Sequence, residues 1–199
     1  MAATIDYFLA PQSPWTYLGH ARFVELARRA GARVNVKPMD LGRIFPLSGG
    51  LPLAKRAPQR QAYRLLELQR FSEFLGRPIV LQPKYFPVAS DDAAKLIIAV
   101  DLADGSDAAM RLTARILRGV WVDERNIADA RELAAMLAEE GLAARRLDDS
   151  MSQAVHERYE DDSRRAIEAG VFGAPSYVVD GEIFWGQDRL DFLQRRLAG

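Results

Sequence analysis

The chain has 199 residues, of which 49% are apolar and 27% are charged, as is typical of a globular protein with a sizeable core. Lys plus Arg and Asp plus Glu each total 27, so no net charge would attract nucleic acid or an anionic membrane. The absence of cysteine excludes disulfides, dithiol redox chemistry and thiolate metal sites, and only two histidines argue against a histidine metal site or a Ser–His pair. No run approaches the roughly 18 apolar residues of a membrane span. The first residues also lack the basic and apolar regions of a signal peptide, and we therefore expect a cytoplasmic protein.

The chain opens with a pattern typical of a strand, a helix and a second strand. A β-prone apolar run predicts a strand over 4–9. Ser13 and Pro14 are favoured as N-cap and first helical residue, so a helix is predicted over about 14–30. Gly31 is a candidate C-cap, and "RVNVKPMD" after it predicts a second strand. Together these elements predict a βαβ unit.

A long helical region is predicted next. The glycines and prolines of residues 42–58 predict a loop. The spacing of Leu, Ile, Ala and Met then predicts helices over 58–76, from 90 to about 141, and over 150–169. Within the second of these ranges, "AAKLIIAVDLA" is apolar on nearly every side, as expected for a buried helix.

The last part of the chain returns to β-structure. "SYVVDGEIFW" contains two β-prone runs around an Asp-Gly pair, a strong hairpin signal, and a final helix is predicted over about 188–197. A βαβ unit and a ββα unit can share one mixed four-stranded sheet with helices on its faces. We therefore predict an α/β protein with a thioredoxin-like fold, βαβ…ββα. Residues 1–40 and 171–199 would form the thioredoxin-like domain, with 41–170 as a large all-helical insertion in one compact unit.

Two stretches hold residues that could carry chemistry. Ser13 stands at the strand-to-helix turn where many redox proteins place a reactive cysteine, and Ala174-Pro175 stands just before a predicted strand. Taken alone, Ser13 fits a plain N-cap and Pro175 a strand-entry proline. In a thioredoxin-like fold this X-Pro bond is cis, and the backbone of the residue before it faces the first helix, where it can pair with a peptide. No base is identifiable beside Ser13, which argues against serine as a nucleophile.

The segment "SPWTYL" near the start and "GVFGAPSYVVDGEIFWGQDRLDFL" near the end together resemble the 2-hydroxychromene-2-carboxylate isomerases. These enzymes are relatives of the kappa-class glutathione transferases within the DsbA-like thioredoxin folds. The resemblance extends over essentially the whole chain and includes "RGVWVDERNIAD" in the helical region. It implies a glutathione-dependent isomerase that interconverts 2-hydroxychromene-2-carboxylate and trans-o-hydroxybenzylidenepyruvate in the degradation of naphthalene-type aromatic hydrocarbons. It also implies glutathione as cofactor, a homodimer and no metal.

Glutathione would explain the hydroxyl at the start of the first helix, because the reactive sulfur would arrive with the cofactor. A free thiol of this kind has a pKa of about 8.5, and lowering it to about 6.5 takes about 2.7 kcal/mol. A helix N-terminus contributes about 0.3–2 kcal/mol, and one charge-assisted hydrogen bond contributes about 1.5–3 kcal/mol. The resemblance therefore implies that Ser13 is the catalytic residue, stabilising the thiolate as attacking and as leaving group.

The remaining site residues also follow from the resemblance. The backbone of Ala174 and Pro175 would pair with the cysteinyl unit of glutathione. Gln187 and Asp188, at the predicted start of the last helix, would hold the γ-glutamyl end, although Asp188 also fits a helix cap. Arg60 would bind the glycyl carboxylate, and an exposed helix arginine is the alternative. An aromatic carboxylate substrate needs flat apolar walls and one cation. The candidates, which also fit plain core or surface positions, are Trp15, Phe45, Tyr85 and Phe86 for the walls and Lys37 for the cation.

Several positions depart from the pattern of the isomerases. Ala10 stands where relatives usually have Asp, Gln12 replaces an apolar residue, and Gly50 stands where many relatives have an Asn that touches glutathione. Asn126 replaces a common Asp, and Gln187 replaces Ser or Asn. These differences leave the identity of the substrate open. Two other functions stay open as well: a kappa-like transferase that conjugates glutathione to another electrophile, and a cysteine-less DsbA-like domain that only binds a peptide or protein partner.

Overall fold

Four strands form one mixed sheet in the computed structural model, which describes residues 2–199. The strands are β1 (Thr4–Leu9), β2 (Arg33–Pro38), β3 (Ser176–Val179) and β4 (Glu182–Trp185), in the spatial order β2-β1-β3-β4. Strand β1 pairs in parallel with β2 and antiparallel with β3, and β3 forms an antiparallel hairpin with β4. The predicted thioredoxin-like sheet is therefore confirmed.

Helices supply the rest of the regular structure. They are α1 (Pro14–Arg29), α2 (Leu41–Ser48), α3 (Pro58–Leu75), α4 (Asp91–Asp104), α5 (Ser106–Trp121), α6 (Ala130–Glu139), α7 (Arg146–Asp149), α8 (Gln153–Glu168) and α9 (Leu190–Ala198). Every regular element described between residues 41 and 170 is helical, as predicted. The division of the chain into a domain and an insertion at these bounds stays a prediction. Across residues 2–199, no helix has the length and apolar character needed to cross a membrane.

Strand β1 lies at the centre of the molecule and is buried on both faces. Its successive side chains point to opposite sides of the sheet. Ile5, Tyr7 and Leu9 belong to the main hydrophobic core, whereas Phe8 belongs to a second cluster that includes Ala166 of α8. This burial on two sides explains why the apolar run of β1 does not alternate with polar residues. It also fixes the carboxyl end of β1, from which the chain enters α1.

The prediction of a loop over 42–58 is wrong. Helix α2 occupies much of its first half, and a 3₁₀ turn follows at Leu53–Lys55. The Asp40 side chain caps α2 by accepting a hydrogen bond of 2.7 Å from a backbone amide of the first turn, and Ile44 is buried in the second cluster. The cap and this burial offset the cost of Pro46 inside the helix.

The C-terminal hairpin is confirmed, but the last helix begins later than predicted. Asp180 and Gly181 have φ values of 49° and 83°, the positive pair that a two-residue hairpin turn of this type needs. Helix α9 begins at Leu190, without a side-chain cap. Gln187 and Asp188 therefore lie in the turn after β4, and the prediction that they start the last helix is wrong.

Candidate active site

Ser13 is the N-cap of α1, immediately after the central strand. Its backbone is extended, and its Oγ accepts a hydrogen bond of 3.2 Å from the Thr16 amide. Pro14 occupies the first helical turn, where its missing N–H costs nothing. Only 7% of Ser13 is exposed. The predicted start of α1 is therefore confirmed, and the cap geometry leaves Ser13 almost fully buried.

The turn before β3 faces this hydroxyl. Ser13 Oγ donates to the carbonyl oxygen of Ala174 across 3.4 Å, and the Ala174–Pro175 peptide bond is cis, as predicted. Hydrogen bonds from Ser176 Oγ to the Gly173 carbonyl and from the Gly186 amide to the Pro175 carbonyl hold the turn in place. An O–H···O distance of 3.4 Å exceeds the usual range of about 2.5–3.0 Å, so the hydroxyl proton is only weakly engaged.

Within residues 2–199, two backbone amides beside Ser13 have no hydrogen-bond partner. Among residues 2–199, no hydrogen bond engages the Trp15 amide in the first turn of α1 or the Ala174 amide in the turn opposite. The first turn of α1 also contains no acidic residue. The positive end of the α1 dipole and the Ser13 hydroxyl therefore meet at the Ala174 turn, an arrangement that stabilises an anion.

Neither histidine is available as a base for Ser13. His20 is buried, with Nε2 3.0 Å from the Met110 carbonyl oxygen and Nδ1 3.0 Å from the Tyr7 hydroxyl. Because a carbonyl only accepts, Nε2 carries the proton and Nδ1 accepts from Tyr7. Burial lowers the pKa of His20 to about 4, so the imidazole is neutral at physiological pH. His156 is exposed on α8. Neither histidine is therefore placed to activate Ser13 as a nucleophile.

The predicted aromatic wall residues lie on α1, on α2 and in the segment between α3 and α4. Trp15, half-buried on α1, packs edge-on against Phe71 of α3 with ring centroids 6.0 Å apart. Phe86 is also half-buried and lies 4.7 Å from the Trp121 ring, whereas Tyr85 is 38% exposed. Trp15 and Phe86 both pack against the main core, so these two predicted wall residues share one hydrophobic cluster.

The Phe45 ring fills the space that a side chain at position 50 would need. It is half-buried on α2, and a Cβ built at Gly50 would lie 2.5 Å from its ring carbon Cδ1. The asparagine common in relatives therefore does not fit here unless the ring moves. The glycine at this position therefore leaves room for the Phe45 ring.

Lys37 does not offer the free cation that the sequence suggested. Its ammonium lies 3.3 Å from Asp162 Oδ1 on α8, and the two side chains are 6% and 0% exposed. Arg158 pairs with the same carboxylate at 3.0 Å. Burial raises the pKa of Asp162, and the two cations oppose that effect. These contacts place Lys37 in a buried ion cluster between β2 and α8, and they contradict its predicted role as an accessible substrate cation.

The residues predicted for the two ends of glutathione differ in their availability. Gln187 is buried, and both its Oε1 and its backbone carbonyl accept hydrogen bonds from Arg22 of α1, the second at 2.6 Å. This side chain ties α1 to the turn after β4 through its Oε1, whereas its buried Nε2 has no hydrogen-bond partner among residues 2–199. Asp188 is exposed and pairs with the neighbouring Arg189. Arg60 is exposed in the first turn of α3. Asp188 and Arg60 thus remain accessible.

Sequence reasoning missed Arg64. Its guanidinium lies over the rings of Phe86 and Trp121, with Cζ 5.2 and 5.7 Å from the two centroids. Within the described chain it makes no hydrogen bond and no ion pair. The available signal was a run of sequence, residues 41–66, that contains five basic residues and no acidic one.

Comparison with known proteins assigns nearly the whole chain to one protein family. The family model of the DSBA-like thioredoxin domain matches residues 4–198. A 2-hydroxychromene-2-carboxylate isomerase of Sphingobium xenophagum is 30% identical over 202 aligned residues, which cover 99% of each chain. The chain belongs to this DsbA-like isomerase family. An isomerase of the same name from Pseudomonas putida is 26% identical, with 98% and 94% of the two chains covered.

Solved structures agree with this assignment. A structure of 2-hydroxychromene-2-carboxylate isomerase superposes with a TM-score of 0.80 at 25% identity, covering 98% of this chain and 94% of the other. DsbM of Pseudomonas aeruginosa, a cytosolic disulfide reductase, shares the fold alone, with a TM-score of 0.68 at 22% identity over 98% of each chain. Membership of the family supports an enzyme with isomerase activity.

Proposed function

We propose that this enzyme is a glutathione-dependent isomerase that interconverts 2-hydroxychromene-2-carboxylate and trans-o-hydroxybenzylidenepyruvate. The observation that carries the proposal is the meeting of the Ser13 hydroxyl, the N-terminus of α1 and the Ala174 turn in a chain that has no cysteine. These groups would stabilise a sulfur anion, and because the chain contains no cysteine, that sulfur would come from a bound ligand.

The residues present fit glutathione as the source of that sulfur. The Ala174 amide has no partner within the described chain, and the Ala174 carbonyl has only the long contact to Ser13. These are the two backbone groups that would pair with the cysteinyl unit. Asp188 would hold the γ-glutamyl ammonium and Arg60 the glycyl carboxylate, because both side chains are exposed and of opposite charge.

The protein groups at the site would keep a bound thiol ionised. When bound, glutathione would supply a thiolate that adds reversibly to a double bond of the substrate, so that the ring opens and rotation about the resulting single bond is possible before the sulfur leaves. The Ser13 hydroxyl would turn from its weak contact with Ala174 and donate to the sulfur, while the Trp15 amide and the α1 dipole face the same anion. A hydrogen bond and a helix terminus together supply about 2–5 kcal/mol, against the about 2.7 kcal/mol that ionisation near neutral pH requires.

The family relationship supports further parts of the proposal. We propose a small aromatic carboxylate from naphthalene-type degradation as the substrate and a homodimer as the assembly. We also propose a cytoplasmic location, a reducing compartment in which glutathione stays a thiol.

An absorbance assay of 2-hydroxychromene-2-carboxylate with and without glutathione tests the proposed function. We expect conversion that requires glutathione and continues for many turnovers at a substoichiometric concentration of it. A thiol count before and after the reaction distinguishes the rival enzyme, since a kappa-like transferase would consume one glutathione for each product. No conversion, together with no shift in melting temperature at millimolar glutathione, would instead indicate a binding domain and would refute the proposal.

A further inference from the structure

Among residues 2–199, Arg64 has no carboxylate partner, in contrast to several other buried or half-buried arginines. Arg146 and Arg158, for example, each pair with two carboxylates. Arg70, two turns further along α3, pairs with Glu67 at 3.0 Å. The half-buried Arg64 instead rests on two aromatic rings and keeps its hydrogen-bond donors unused. Five N–H groups in a planar fork are therefore available to a ligand.

The surroundings of Arg64 are positively charged. Arg56 and Arg60 precede it along the chain, and residues 41–66 contain no acidic side chain. Burial, followed by the charge of Arg56, lowers the pKa of Arg64 to about 10, so the guanidinium is still charged at neutral pH. An anion that approached Arg64 would meet attraction from several cations, and Glu67, the nearest carboxylate along α3, is paired with Arg70.

The contacts of α1 with α3 place Arg64 on the side of the Ser13 site. Tyr17 donates to the Pro78 carbonyl just after α3, and Trp15, nearer the start of α1, packs against Phe71 further back along α3. Arg64 precedes Phe71 by seven residues, which is two helical turns on the same face, or about 10 Å. The early turns of α3 therefore extend toward and beyond the first turn of α1, where Ser13 lies.

We propose that Arg64 binds the carboxylate of the aromatic substrate, with the exposed part of Phe86 beside it as the surface for the substrate ring. This inference rests on the proposed function and names the cation that Lys37 was expected to supply. A guanidinium matches a carboxylate with two parallel hydrogen bonds, whereas an ammonium presents a point charge. Because Phe86 and Trp121 already hold Arg64 in place, little side-chain freedom is lost on binding.

Kinetics of matched variants separate this role from a structural one. We expect Arg64→Gln to raise the KM for 2-hydroxychromene-2-carboxylate by about ten- to a hundredfold, the loss of one charge-assisted pair, and to leave the KM for glutathione unchanged. Arg64→Lys should recover only part of the loss. Arg70→Gln, on the same helix with a surface partner, should match the wild type. Arg60→Gln should instead raise the KM for glutathione and leave the KM for 2-hydroxychromene-2-carboxylate unchanged.

A binding experiment decides the point without turnover. Chromone-2-carboxylate, a stable bicyclic carboxylate, and its neutral carboxamide are titrated against the full chain by tryptophan fluorescence. We expect the wild type and Arg70→Gln to prefer the carboxylate by at least about tenfold and Arg64→Gln to lose that preference. An Arg64→Gln protein that melts like the wild type and still prefers the carboxylate would overturn the proposal. Equal binding of both probes by the wild type would overturn it too. Failure of the proposed function differs from both results, because the wild type would then convert no substrate.

Discussion

Replacing Ser13 by alanine removes one hydroxyl that has two roles of different size. In the structure its oxygen accepts from the Thr16 amide at 3.2 Å, and loss of such a cap costs about 1 kcal/mol. For a chain of this length that cost corresponds to a decrease in melting temperature of about 2–4 °C. The 3.4 Å contact to Ala174 adds little, because it is long for a hydrogen bond. The variant should therefore fold.

The same substitution should have a much larger effect on turnover. Loss of one charge-assisted hydrogen bond to the sulfur anion, about 1.5–3 kcal/mol, predicts a decrease in kcat/KM of about 10- to 150-fold near neutral pH. The deficit should shrink above about pH 8.5, where a free thiol ionises without help. A structural role of Ser13 would give no such dependence on pH.

Ser152→Ala is a matched control for Ser13→Ala. Ser152 caps α8 by accepting from the Val155 amide, so its loss also removes one helix cap. Both variants should melt at similar temperatures, but only Ser13→Ala should lose activity in the chromene absorbance assay at pH 7. If the two variants turned over equally fast, the hydroxyl of Ser13 would have no part in the chemistry.

Three further substitutions probe other features of the structure. Burial lowers the pKa of His20 to about 4, whereas the unfolded chain keeps about 6.5, so the unfolded state binds more protons between these pH values. Urea denaturation should therefore show that the free energy of unfolding decreases by about 2 kcal/mol from pH 7 to pH 4.5. His20→Gln should flatten that dependence. Lys37→Met leaves the buried Asp162 with one cation fewer, and calorimetry should show that the free energy of unfolding falls by about 3 kcal/mol, while kcat/KM stays unchanged. A selective rise in the KM for the substrate would instead show that Lys37 binds the substrate. Asp188→Ala should raise the KM for glutathione more than it lowers kcat, whereas Glu182→Gln on β4 should change neither; a fall in kcat alone would contradict the proposed contact with glutathione.

The elements of the sheet could be predicted because their signals are local. A cap and a proline mark the start of α1, and an Asp-Gly pair marks the hairpin turn. Helix α2 was missed because the glycines and prolines of its sequence are turn formers, and only the tertiary burial of Ile44 and the Asp40 cap reverse that preference. The start of α9 was misplaced because Asp188 is a good cap residue that the structure uses in a surface ion pair instead.

The candidate site divides in the same way. Ser13 and the Ala174 turn were found because each belongs to a short motif, and the fold brings the two motifs together. The partners of cations carry no sequence signal, since Asp162 lies far along the chain from Lys37. For the same reason, Arg64 could be recognised as unpaired only after every carboxylate had been placed.

The pKa of the thiol of enzyme-bound glutathione tests the central claim most directly. It can be measured by the ultraviolet absorbance of the thiolate as the complex is titrated, with Ser13→Ala as the comparison. A bound thiol that titrates near pH 6.5 in the wild type, and at least about one pH unit higher in Ser13→Ala, is the predicted result. A bound thiol that titrates near 8.5 in both proteins would show that neither the hydroxyl nor the start of α1 stabilises the sulfur anion, and the account would be wrong.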